Sequence, residues 1–338
     1  MLKLCERNSP TSMKISLPSR RQPSPWKGCF SILAAVACLT LTSVRASTVT
    51  SDVAGFSKVV GSPGGRIVSP VLANPVVFQA PASVTNGTFA VTGLTNSLSA
   101  TSYTDRPNAP VYYLEIAPGS SFEGMRYDIL SNSSTSITVA GNASALNGQT
   151  NLIICIRKHI TLGDLAGASA GLTDYNDAFT LYRSNNVKSS FYYTSAGVLC
   201  DDYMTPGGQA VVAPGTAVIL NSMGSATFTF SGTVKGNRTL ATLFPGENLV
   251  APQDPVGGMK VTGQNIAPAL QSSSDTATLF SVDGRFVGYR YYSDGVNLLD
   301  MSRNILSTNS APAVPVGAGF VITSSSGGTW TNASVITN

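Results

Sequence analysis

The chain has 338 residues, of which only 11% are charged, and its 21 Lys and Arg against 17 Asp and Glu give a net charge of +4. With 43% apolar residues, 13 Phe and 12 Tyr, it holds the core-forming side chains that disordered chains lack. The positive charge is unevenly placed. Residues 1–46 hold seven basic residues and one acid, which leaves 14 basic and 16 acidic residues in the remainder, net −2. That remainder has no basic face for nucleic acid.

Residues 1–46 read as a bacterial-type export signal. The apolar core from Cys29 to Val44 is shorter than the roughly 18–20 residues a spanning helix needs. Six basic residues precede it (Lys3, Arg7, Lys14, Arg20, Arg21 and Lys27), and Val44-Arg45-Ala46 follows as a small-x-small site with cleavage after Ala46. Met13 is an alternative start. Ala35-Val36-Ala37-Cys38 is an alternative lipoprotein box, and Arg20-Arg21 a weak twin-arginine signal that Gln22-Pro23 does not continue. The membrane is therefore met only through this signal, and the expected location is the periplasm, the outer surface or the medium.

The rest alternates short β-branched and aromatic runs with Gly, Pro, Asn and Ser, the pattern of an all-β protein. Gly61-Ser-Pro-Gly-Gly65 reads as a turn before a strand. Val111–Ala117 places Tyr112, Leu114 and Ile116 on one face and Tyr113 and Glu115 on the other. Pro118-Gly119 turns the chain, Ser121–Leu130 returns it, and Ser136–Val139 and Leu152–Arg157 continue the meander. The best helical candidate is a single turn near Leu162–Leu165.

An internal echo follows. Thr180-Leu181-Tyr182, Phe191-Tyr192-Tyr193, Pro214–Leu220 and Ser225–Thr229 return as Thr278-Leu279-Phe280, Arg290-Tyr291-Tyr292, Val316–Ile322 and Gly327–Thr331, at offsets of 98 to 102 residues. The expected architecture is two related antiparallel β-sandwich or barrel-like units. Residues 47–235 form the first, with a small β module inserted at about 86–170, and residues 236–338 the second. Pro245-Gly246 and Pro252–Gly258 mark the boundary between them.

Chemical signals are weak. The single histidine, His159, follows Arg157-Lys158 and reads as an exposed strand end rather than the base of a triad. Asp201-Asp202 and Asp174-x-x-Asp177 could bind calcium or serve a glycosidase, but loop solvation and Asx turns explain both. Cys155 and Cys200 lie in apolar, strand-like surroundings. They suit either a disulfide, which would contribute about 3–4 kcal/mol by closing a loop of roughly 45 residues, or two buried thiols. Tyr192, Tyr193, Tyr291 and Tyr292 are candidate platforms for sugar rings, with core packing as the plainer use of one ring in each pair. No catalytic, metal or cofactor set emerges.

Several stretches together resemble a family of secreted, β-rich proteins of verrucomicrobial-type bacteria to which no activity is assigned. They are Asp52–Phe56, Tyr112–Gly119, Phe122–Ile129, Ser136–Gly141, Phe191–Tyr193 and Pro214–Ile219. Val53 replaces the family's usual proline, and no tryptophan follows Tyr193. The resemblance implies export and a β-rich fold, and no site residues. The function expected is a secreted, non-catalytic structural, adhesion or cell-envelope protein, with extracellular glycans or other envelope proteins as partners. Carbohydrate binding is the alternative and a polysaccharide-active hydrolase the third reading.

Overall fold

The computed structural model describes residues 53–98, 110–183, 187–196, 199, 206–281 and 286–333. The signal with its Cys38 and Ala46, and also Cys200, Asp201 and Asp202, lie outside the described residues. The fold is all-β and antiparallel.

Strands β1 (Val53–Gly61) and β2 (Gly64–Val68) open it. β3 (Val76–Thr85), β4 (Thr88–Ala90), β5 (Tyr112–Ile116), β6 (Arg126–Asn132), β7 (Ser136–Val139) and β8 (Leu152–Lys158) follow and close into a barrel, ordered β3-β4-β7-β6-β5-β8. β9 (Ile160–Thr161), helix α1 (Leu162–Gly167), β10 (Ser169–Ala170), β11 (Ala178–Tyr182), β12 (Lys188–Tyr192), β13 (Val211–Val212), β14 (Val218–Ser222) and β15 (Ala226–Val234) complete a first sheet unit around the barrel. The second comprises β16 (Thr239–Leu243), β17 (Gly246–Val250), β18 (Thr276–Phe280), β19 (Phe286–Ser293), β20 (Leu298–Leu299), β21 (Gly319–Ser324) and β22 (Gly328–Asn332).

Both units use one pairing scheme. The first has a sheet ordered β12-β11-β14-β2 and a layer in which β1 pairs β15; the second has β19-β18-β21-β17, with β16 pairing β22. The register runs on from Gly61↔Ala226 to Gly64↔Ser222 and from Leu243↔Gly328 to Gly246↔Ser324. Ser62-Pro63 and Phe244-Pro245 are therefore corners, where a long strand pair bends from one sheet into the other. They do not reverse the chain, as the turn expected at Gly61–Gly65 would, and Pro245-Gly246 lies inside the second unit. Gly64 and Gly246 sit at φ of 105° and 101°, which only glycine adopts without strain.

A buried carboxylate closes the facing corner in each unit. Asp177, fully buried before β11, accepts from the N–H of Thr173 (2.9 Å) and of Met223 (2.8 Å). Asp275, before β18, accepts from Gln271 (3.0 Å), Ser272 (3.1 Å) and Ser325 (2.8 Å). On the other strand of each bend, Arg66 donates to the carbonyl of Ser62, and Asn248 donates to those of Phe244 (2.8 Å) and Gly246 (3.0 Å). Bends cannot use the ladder, so these side chains supply the partners the backbone would otherwise lack.

Between its layers the first unit buries Phe179, Leu181, Val218, Leu220 and Phe228, and the second Leu279, Tyr291, Phe320, Ile322 and Trp330. Trp330 Nε1 donates to the carbonyl of Gln264 at 2.8 Å. The barrel packs Phe89, Leu114, Ile116, Ile129, Ile154 and Ile156 inside. Helix α1 forms where a helical turn was expected, capped by reciprocal bonds between Thr161 and Asp164.

Charged hydrogen bonds contribute about 1.5–3 kcal/mol each. Asp177→Ala and Asp275→Ala should each destabilise by about 3 kcal/mol in urea unfolding; a loss below about 0.5 kcal/mol, the range of ordinary surface changes, would show that the corners hold without them.

Candidate functional site

Two features combine charge with enclosure. The first lies where the barrel meets the first unit. β5 alternates as expected, but both of its faces are buried: Leu114 and Ile116 fill the barrel, while Tyr113 and Glu115, on its outside, are 2% and 1% exposed. Glu115 accepts from Arg157 Nε at 3.0 Å and from Lys235 Nζ at 2.6 Å. Arg157 also donates to the carbonyl of Asn74 (2.6 Å) and to Thr233 Oγ1 (2.7 Å). Burial pushes the Glu115 carboxyl up, and its two cations more than offset this and hold it below the usual carboxylate range.

His159 is buried at 1% exposure, not an exposed strand end. Arg157 beside it turns to Glu115, and the imidazole lies against Tyr113 with ring centroids 4.8 Å apart. Its Nε2 is 3.0 Å from Asp128 Oδ1. Burial raises the Asp128 pKa, but the His159 bond and Arg126 outweigh it and the net shift is downward. Apart from the buried His159 Nδ1, which has no hydrogen-bond partner among the described residues, the cluster's charged groups bond to one another and to neighbouring strands where the barrel meets the first unit.

The second feature is a cleft of about 490 Å³ between the outward faces of the first unit's four-stranded sheet and the second unit's five-stranded sheet, which β20 extends beyond β19. Its floor is apolar: Ile67, Ile219 and Tyr182 from the first unit, Phe280 and Val321 from the second. Its rim carries Thr276, Thr278, Thr323, Arg290 and Glu247. Glu247 is bonded to Lys188 Nζ at 2.9 Å across the two units, and Lys188 lies 4.5 Å from the Tyr182 ring centre. Backbone bonds also join the two units, including Ala251 N–H to Gly215 O at 3.0 Å.

The cleft does not gather the four candidate tyrosines. Tyr291 is 1% exposed in the second unit's core, so its ring is used in packing. Tyr193 is half-buried against the first core and Tyr192 is 37% exposed at the end of β12. Tyr292 is half-buried, with the Arg303 guanidinium 3.7 Å over its ring. Cys155 is buried in β8. Asp177 is a corner acceptor, and Asp174 is half-buried beside it in sequence. Sequence reasoning missed Thr276, Thr278, Phe280 and Arg290 as site residues, although Thr278-Leu279-Phe280 and Arg290 stood in the echo.

Among the described residues, no three His, Cys, Asp or Glu side chains converge to hold a metal ion, and no helix is long and apolar enough to cross a membrane. Removing one partner of a buried ion pair costs about 3–5 kcal/mol. Lys235→Met should lose this much at neutral pH. The Glu115 carboxyl is depressed on folding, so the network's stabilisation is full above the unfolded value of about 4.3 and lost as pH falls through the lower folded value. The gap between Lys235→Met and the unsubstituted protein should accordingly narrow below about pH 4 in denaturant titrations followed at Trp330; a gap independent of pH would contradict the ion-pair account.

Comparisons with protein-family models, with curated proteins and with solved structures find no match for this chain.

Proposed function

We propose that the protein is an exported, non-catalytic structural or adhesive component of the cell envelope or extracellular space. In this reading its two sheet units arose by internal duplication, with the barrel placed in the first. Support for export comes from the basic, apolar and small-residue order of residues 1–46. Support for duplication comes from the shared pairing scheme and from Asp177 and Asp275 serving equivalent corners.

The observation that carries the non-catalytic reading is the use made of acidic side chains. Asp177 and Asp275 accept backbone N–H groups at the corners, Asp164 caps α1, and Glu115 is held by two cations. Glycoside hydrolysis uses two carboxyl groups about 5–10 Å apart across the scissile bond. Glu247 is the one carboxylate among the described residues of the cleft, and it is bonded to Lys188. This arrangement favours holding a ligand or a neighbour over acid–base chemistry.

Fractionation of the native protein with N-terminal sequencing tests the reading. The expected result is a chain beginning at Ser47 in the periplasm, the medium or the outer surface. A chain retaining residues 1–46 in the cytosol would contradict it, and one lipidated at Cys38 would contradict cleavage after Ala46.

A further inference from the structure

We infer that the cleft and the sheet face running out from it form a binding site for a carboxylate-bearing glycan, a chain of the polyuronate type. The volume of about 490 Å³ falls within the roughly 300–1,000 Å³ of sites that enclose small ligands. β18 directs Thr276, Thr278 and Phe280 to this one face, and β21 adds Val321 and Thr323. Hydroxyl groups that both donate and accept, set beside apolar and aromatic surface, match a sugar, whose ring presents hydroxyls at its edge and C–H groups on its face.

The charge on this face gives the ligand its sign. Arg290 pairs with Thr278 across β18 and β19, is exposed at the rim, and makes no ion pair among the described residues. Tyr292 follows two residues later on the same face of β19, with the second guanidinium, Arg303, over its ring. Residues 47–338 are net negative, so Arg290 at the rim of the cleft and Arg303 farther out on the same sheet face run against the trend of the molecule. A guanidinium binds a carboxylate through two parallel N–H groups, a geometry that lysine lacks. Glu247 does not oppose an anion, because Lys188 neutralises it.

The first unit shows that sheet pairing does not require this charge. There Thr180 pairs with Ser190, and their hydroxyls are 3.0 Å apart. The matching pair in the second unit is Thr278 with Arg290, so a long cation stands at the cleft where a short hydroxyl satisfies the same fold position. The inference names a ligand for the adhesive reading and rests on it only for where the ligand is met. Binding by purified protein does not depend on export.

The test is affinity electrophoresis of the purified protein through gels containing polygalacturonate, the same polymer with its carboxyl groups reduced, or dextran sulfate. Retardation by polygalacturonate alone is expected. Arg290→Gln should weaken it about 10- to 100-fold, the worth of a charged hydrogen-bonded pair. Arg290→Lys should fall between, and Thr278→Val should reduce binding with Arg290 intact. Thermal midpoints identify any variant that fails to fold, and Arg303→Gln then replaces it. Failure to bind polygalacturonate, equal retardation by the carboxyl-reduced polymer or by dextran sulfate, or unchanged binding by a folded Arg290→Gln variant would each overturn the inference. None of these outcomes bears on whether the chain is exported.

Discussion

A carboxylate buried at 1% exposure, Glu115, ties the barrel to the first sheet unit and to the link that leads into the second. An unpaired charge in such a place is too costly to persist, so Glu115 requires both of its cations. They come from different parts: Arg157 from β8 of the barrel, and Lys235 from the short link between β15 and β16. Arg157 extends the network to Asn74 and Thr233 of the first unit. The network therefore fixes the place where the barrel meets the first unit. That docking explains why β5 is buried on both faces although its sequence alternates as a half-exposed strand does.

The same economy of acids recurs at the corners. Each sheet unit bends a long strand pair into two layers, and each bend leaves backbone N–H groups without ladder partners. Asp177 and Asp275 answer this need from equivalent places, and Arg66 and Asn248 serve the carbonyls of the opposite strand. The bends turn Ile67, Ile219, Leu249 and Val321 outward onto the sheet faces, where the two units meet. The cleft is thus a consequence of the corners: its apolar floor is the edge of that contact, and its polar rim is what the contact leaves uncovered.

Much of this was legible in the sequence, because period-two alternation and turn residues report directly on strands. The all-β class, the strands over Tyr112–Ile116, Ser136–Val139 and Leu152–Lys158, and the helical turn at Leu162 follow from local pattern alone. Other features depend on distant partners. Lys235 meets Glu115 across 120 residues, and nothing near either one announces the pair. His159 looked exposed because its neighbours are cations, yet one of those cations is buried by Glu115. The Pro63-Gly64 corner matches Pro245-Gly246 at an offset of 182, far from the 98 to 102 of the later strands, because the barrel intervenes in the first unit only. Arg290 and Thr278 acquired meaning only once two sheets were seen to face one another.

The central claim, that Glu115 and its cations couple barrel and sheets into one body, is most directly tested by scanning calorimetry of Glu115→Gln beside the unsubstituted protein. The account predicts one cooperative transition for the unsubstituted protein, with calorimetric and van't Hoff enthalpies equal. It predicts an earlier, separate transition in the variant as the barrel melts away from the sheets. A variant that still unfolds in one transition at an unchanged midpoint would contradict it.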